Sequence, residues 1–154
     1  MLVTCALETA AKAELRADHV VGLRVGPEVL AGSTRLKAGT ATKIALNALS
    51  TAAMIGLGKC YGSRMVDVVA TNAKLEARAR RLIGDLSGHG TEDAERLLYD
   101  SGGRVKLAVV MGRLGVSRRD AERQLAVADG RLRKLLGPYR RRKGTTPPRS
   151  APRP

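Results

Sequence analysis

The sequence predicts a mostly helical α/β chain: a remnant of a parallel sheet, a long buried helix, a small bundle of short helices and a basic tail. Three features carry that reading. A strand–helix–strand pattern opens the chain, one long helical stretch is apolar nearly all round, and a four-residue motif recurs at a 27-residue offset.

Met1 to Ala6 is a short apolar run with β-branched residues and reads as a strand. Leu7 to Ala17 has a helical pattern, and His19 to Val25 is a second strand. Strand, helix of about ten residues, strand is the βαβ signature and implies parallel pairing. Parallel strands are normally covered on both faces, and a single crossover helix cannot do that. The sheet is therefore expected to continue in a segment upstream of Met1.

Gly26 to Gly32 reads as a loop, with Ser33 or Thr34 as the N-cap of a helix reaching about Gly58. From Ile44 onward this helix is apolar almost all round, with Ala45, Ala48, Ala52 and Ala53 at small positions. Such a helix is expected to be buried, inside the subunit or at a dimer interface. A turn follows at Tyr61–Gly62–Ser63, then a helix from about Asn72 to Leu86 whose apolar face is Leu75, Ala79, Leu82, Ile83 and Leu86. Arg78, Arg80 and Arg81 point away from that face, and Ser87 to Gly90 reads as a linker.

Beyond the linker, Asp93-Ala94-Glu95-Arg96 recurs as Asp120-Ala121-Glu122-Arg123. At the same offset Leu98 matches Leu125, Gly103 matches Gly130 and Arg104 matches Arg131. A unit this short cannot bury its apolar face alone, so the two copies are expected to pack together over 91–136. Ser117 with Asp120 fits a capping box. Pro138 is expected to end the order, leaving a disordered Pro-rich tail.

Composition narrows the function. There is no Phe or Trp and only three Tyr, so the core must be built from Ala, Leu, Val and Ile. Cys5 and Cys60 lie in apolar runs, where a thiol behaves as a small hydrophobe, and a reducing cytoplasmic setting fits them. The uncharged run Ile44–Leu57 is 14 residues long, whereas a membrane span needs about 20. His19 and His89 stand apart with no Cys/His cluster, so neither metal nor other cofactor is expected. The net charge is +14, and six of the positive residues lie in 139–154. The rest alternate with acids along helices, and without aromatic residues there is no stacking platform, which argues against nucleic acid as the partner.

The stretch richest in chemistry is Gly26 to Lys43, a Gly-punctuated loop feeding a helix start directly after a strand. Free amides and the helix dipole there favour an anion. Ser33 and Thr34 add hydroxyl donors, and Arg35 and Lys37 add charge that an anion would compensate. An ordinary N-cap with two surface cations explains the same residues. Ser50 and Thr51, with no base in view, are read as satisfying neighbouring carbonyls, and Asp67 and Asn72 as anchors of a helix connection.

This loop, with Leu46-Asn47-Ala48-Leu49-Ser50-Thr51, Gly58-Lys59-Cys60-Tyr61-Gly62 and the run Met65 to Leu75, resembles the N-acetylmuramic acid 6-phosphate etherase family, to which vertebrate glucokinase regulatory protein is related. The resemblance covers residues 17–136 and implies the C-terminal portion of such a protein. It implies a flavodoxin-like sugar isomerase (SIS) domain ending near residue 87, a helical domain over 88–137 similar to a ubiquitin-associated (UBA) fold, and the tail 138–154. The implied reaction is cleavage of the D-lactyl ether of N-acetylmuramic acid 6-phosphate by elimination and water addition, without metal or nucleotide. In the family the acid/base glutamates lie upstream, so this chain is expected to be inactive alone and to act as a homodimer. Ser33, Thr34 and Lys37 match the family loop and are the expected sugar-phosphate contacts. Glu28 and Arg35 match as well, Glu28 as a positioning residue or loop anchor, while Arg35 fits a structural ion pair equally. Ala6 to Ala10 departs from the Asn-Pro-Gly-Ser loop of the family. A non-catalytic sugar-phosphate-binding or regulatory module is the alternative, and a nucleic-acid binder using the tail is a third.

Overall fold

The computed structural model of the chain describes residues 1–13 and 16–140. The expected tail falls outside the described residues from 141 onward. Among the described residues there are seven helices and four short strands, and the chain separates into two compact units, Met1–Ala53 and Met54–Pro154.

The first unit opens with β1 (Leu2–Thr4), α1 (Leu7–Lys12) and β2 (Val20–Gly22). The strands pair in parallel, Leu2 opposite Val20 and Thr4 opposite Gly22. Bonds from Leu2 N to His19 O and from Leu23 N to Thr4 O, both 2.8 Å, extend the ladder. The βαβ reading is correct in order and direction. Its elements are shorter than expected, and α1 has no side-chain cap at its start, which leaves a six-residue helix little to hold it.

Helix α2 spans Lys37–Gly56. It starts later than a Ser33 or Thr34 cap would place it, because Ser33–Leu36 form a separate turn, closed by Leu36 N to Ser33 O at 3.2 Å. The expected burial is overturned. No residue of α2 is buried, and Ile44 and Leu46 are 63% and 50% exposed. The reason is supply: two three-residue strands and one short helix are too little surface to cover twenty residues. Ser50 Oγ donates to Asn47 O at 3.2 Å, a local carbonyl bond of the kind its sequence context implies. No helix among the described residues is long and apolar enough to cross a membrane.

The second unit begins with a hairpin where only a turn was expected. Strands β3 (Cys60–Tyr61) and β4 (Arg64–Met65) pair antiparallel around Gly62–Ser63. Then come α3 (Ala73–Ser87), α4 (Thr91–Asp100), α5 (Val105–Leu114), α6 (Arg118–Val127) and α7 (Leu132–Leu136). Helix α5 is the centre. Val105, Leu107, Ala108, Val109 and Val110 are all at most 2% exposed; α3 and α4 pack against α5, as do α6 and α7. Ala79, Ala94, Ala108 and Ala121 let the helices approach closely, so the core closes without a large aromatic ring. Because α3 packs on α4 and α5, the compact units divide at Ala53/Met54, whereas the linker reading set its boundary at 87/88.

The 27-residue repeat is a repeat of geometry. Ala94 and Ala121 are both buried. Asp93–Arg96 and Asp120–Arg123 form the same i,i+3 pair, each at 3.5 Å. Gly103 N donates to Leu98 O at 2.9 Å, and Gly130 N to Leu125 O at 2.7 Å. Both glycines have positive φ, +76° and +67°. Arg104 and Arg131 then cap α5 and α7, whose first residues Val105 and Leu132 are buried. The capping box at α6 is present: Ser117 Oγ accepts from Asp120 N at 3.2 Å and donates to Asp120 Oδ2 at 2.7 Å.

Order does not end at Pro138. Tyr139 meets Tyr61 edge-on with ring centroids 5.5 Å apart, and Tyr61 Oη donates to Gly137 O at 3.2 Å. The Tyr139 ring lies where a side chain at position 62 would stand, so only glycine fits there.

The duplicated turns make a paired prediction. A Cβ at Gly103 or Gly130 meets nothing closer than 3.6 Å, so each Ala substitution costs backbone strain alone, about 1–2 kcal/mol. Gly103→Ala and Gly130→Ala should lower the urea midpoint by similar amounts at unchanged slope. A large inequality would show that the turns are not equivalent.

Candidate functional site

The loop from β2 to α2 is organised by Glu28. Its Oε2 accepts from Lys37 N at 2.8 Å and its Oε1 from Ala38 N at 2.9 Å. Gly39 N is bonded to Thr34 O at 2.8 Å and Thr40 N to Leu36 O at 3.1 Å. These are the four amides a helix leaves without an internal partner, and all are satisfied. Lys37 Nζ turns back to Pro27 O at 2.9 Å. The expectation of unpaired amides awaiting an anion is thus overturned. The positive end of the helix dipole does hold a negative group, but that group is the chain's own carboxylate.

Hydrogen bonds from Ala38 N and Lys37 N, in that order, lower the Glu28 pKa, and the Lys37 charge adds to them; burial opposes the shift more weakly. A carboxylate held ionised with both oxygens engaged is a poor proton donor near neutrality. Its geometric role is to anchor the loop.

Ala38 is held from both sides. While Glu28 takes its N–H, the Cys5 thiol at the end of β1 lies 3.7 Å from its carbonyl oxygen and 3.7 Å from Thr42 Oγ1. The sheet and the helix start are joined there. Around this anchor, Thr34 and Arg35 are exposed and Ser33 is half-buried. The structure therefore brings Glu28 and Lys37 together through the backbone and leaves Ser33, Thr34 and Arg35 on the outer turn, where hydroxyl and guanidinium donors can meet an anion from solvent. A cap arriving from nine residues upstream has no signature in the usual N-cap spacing, which is why the helix start was misplaced.

In the second unit, Asp67 binds Lys59 Nζ at 2.6 Å and Lys106 Nζ at 3.3 Å. The Lys59 hydrogen bond is the largest cause of its lowered pKa, against a smaller rise from burial. Asn72 caps α3, its Oδ1 accepting from Leu75 N at 2.9 Å. Both residues tie segments together. Among the described residues no three His, Cys, Asp or Glu gather as metal ligands would.

No family model matches the chain. Over 136 residues it is 52% identical to a Synechocystis protein named N-acetylmuramic acid 6-phosphate etherase, covering 88% of this chain and 44% of that protein. A Deinococcus radiodurans protein of the same name is 54% identical over 120 residues, 78% of this chain and 39% of the relative. One from Geobacillus thermodenitrificans is 50% identical over 120 residues, 78% and 41%. The chain spans about two-fifths of the length of these curated relatives. Over most of its length it is thus a relative of a portion of proteins named N-acetylmuramic acid 6-phosphate etherase.

The Glu28 anchor has a definite pH dependence. With a folded pKa below the ordinary 4.5, the carboxylate's stabilisation is complete above 4.5 and lost as pH falls through the lowered value. The Lys37 and Ala38 amide resonances should titrate together with a midpoint under 4.5. Glu28→Ala should abolish that titration and speed hydrogen exchange at both amides; unchanged exchange would show that Glu28 holds nothing.

Proposed function

We propose that this chain is the C-terminal portion of an N-acetylmuramic acid 6-phosphate etherase, contributing sugar-phosphate contacts without the proton-moving carboxylates. The observation that carries this reading is identity of about half the residues with etherases over most of the chain. In this reading residues 1–87 belong to a SIS-type sugar-phosphate domain and 88–137 to a UBA-like helical domain.

Ser33, Thr34 and Arg35 are the groups that meet the ligand. The guanidinium is suited to a phosphate because its fork of N–H donors matches two oxygens at once. Lys37 contributes positive charge while its ammonium holds Pro27 O, and Glu28 fixes the turn on which the others are mounted. Ether elimination needs a base to remove a proton beside the carbonyl-like centre and an acid for the leaving oxygen. Glu28 is disqualified by its bonding, and that work belongs to carboxylates outside this chain. The uncovered apolar residues of α2 support self-association as a homodimer.

Two measurements test this. Adding N-acetylmuramic acid 6-phosphate to the purified chain should raise its Tm without releasing D-lactate, and Arg35→Ala should remove the rise. D-lactate release by this chain alone would overturn the division of labour, and a flat thermal profile would overturn the binding role. In sedimentation, Ile44→Glu should convert a dimer to monomer; a monomeric wild type would exclude self-association.

A further inference from the structure

We propose that α3 and the β3–β4 hairpin form a track for a nucleic-acid backbone, recognised through its phosphates and independent of base sequence. A hollow of about 590 Å³ lies between them, walled by Arg64, Lys74, Arg78 and Arg81 over the apolar floor of Leu82. Lys74, Arg78 and Arg81 stand at i, i+4 and i+7, which places them on one helix face. The acid of this hollow, Asp85, is already taken by Arg64 at 3.1 Å.

The arrangement is costly without a partner. Like charges at i,i+4 destabilise a helix by roughly 0.2–0.5 kcal/mol, and Lys74, Arg78 and Arg81 form no ion pair among the described residues. Other arginines of this unit behave differently: Arg80 reaches Glu95 at 2.5 Å, Arg96 and Arg123 pair on their own helices, and Arg104 and Arg118 share Glu122. Along the chain the arginines alternate with acids, but in space three cations segregate onto one face.

The positive surface also outgrows a small ligand. A second hollow shares Asp85 with the first and adds Arg113 and Arg140, and Arg140 leads in sequence to Arg141, Arg142 and Lys143. Lys74 to Arg81 alone covers about 10 Å of helix at 1.5 Å per residue. A concave track excludes a flat bilayer surface. The predominance of arginine favours phosphate, which its planar fork binds bidentately. The first hollow has no aromatic lining, and bases would find no stacking surface there, so contact is to the backbone alone.

The test is fluorescence anisotropy of the full chain with labelled random single-stranded oligonucleotides across a salt series, with polyglutamate as competitor. Binding should weaken steeply with salt. The Lys74→Ala/Arg78→Ala/Arg81→Ala variant should bind about tenfold more weakly for every sequence, with a salt slope shallower by about 2, near 0.7 per lost phosphate contact. These side chains are exposed, and Arg81→Glu alone should weaken binding if the triple variant loses its fold. A chain ending at Arg140 should still bind. The proposal is overturned if the variants bind like the wild type, if removing residues 141–154 abolishes binding, or if polyglutamate competes as well as an oligonucleotide of equal charge, which would point to an acidic protein.

Discussion

Helix α5 has almost no solvent face, and the second unit is arranged around that fact. A run of valines, alanine and leucine at near-zero exposure must be surrounded, and short amphipathic helices are the surfaces available. None is long enough to be stable alone, so each owes its persistence to the apolar stripe it lays on α5. The lack of Phe and Trp sharpens the requirement, because small side chains fill space only when backbones come close. Alanines at the crossing points and glycines at the turns are the means to that approach.

The first unit has no such centre. Its strands are three residues long and its principal helix lies uncovered, so polar anchoring does what burial does elsewhere. Glu28 and Cys5 grip the start of α2 from opposite sides of one residue. The same carboxylate that anchors the helix start removes it from reach of a phosphate, so any anion recognised here must be met by groups on the outer turn.

Much of this was legible in the sequence because it was written in local patterns. The strand–helix–strand order, the apolar face of α3, the Asn72 anchor, the Ser117 cap and the 27-residue repeat all depend on residues near one another. What could not be read depended on distance or on supply. A Glu28 cap from nine residues away leaves no periodic trace. Apolar residues on α2 imply a need for cover, not that cover exists within the same chain. The Gly62 hairpin was read only as a turn because its strands have two residues each, too few for alternation to register. The segregation of cations on α3 is invisible in a linear charge count, since Glu76 and Asp85 sit among them in sequence.

The contact between Tyr139 and the glycine at the hairpin tip gives the chain a mechanical property. Two segments half the molecule apart in sequence meet at a clasp with no covalent component, sealed by one ring edge and one carbonyl bond. Tension applied from the C-terminal side would reach the hairpin before it reached any of the helices. The clasp is therefore the first joint to open under load.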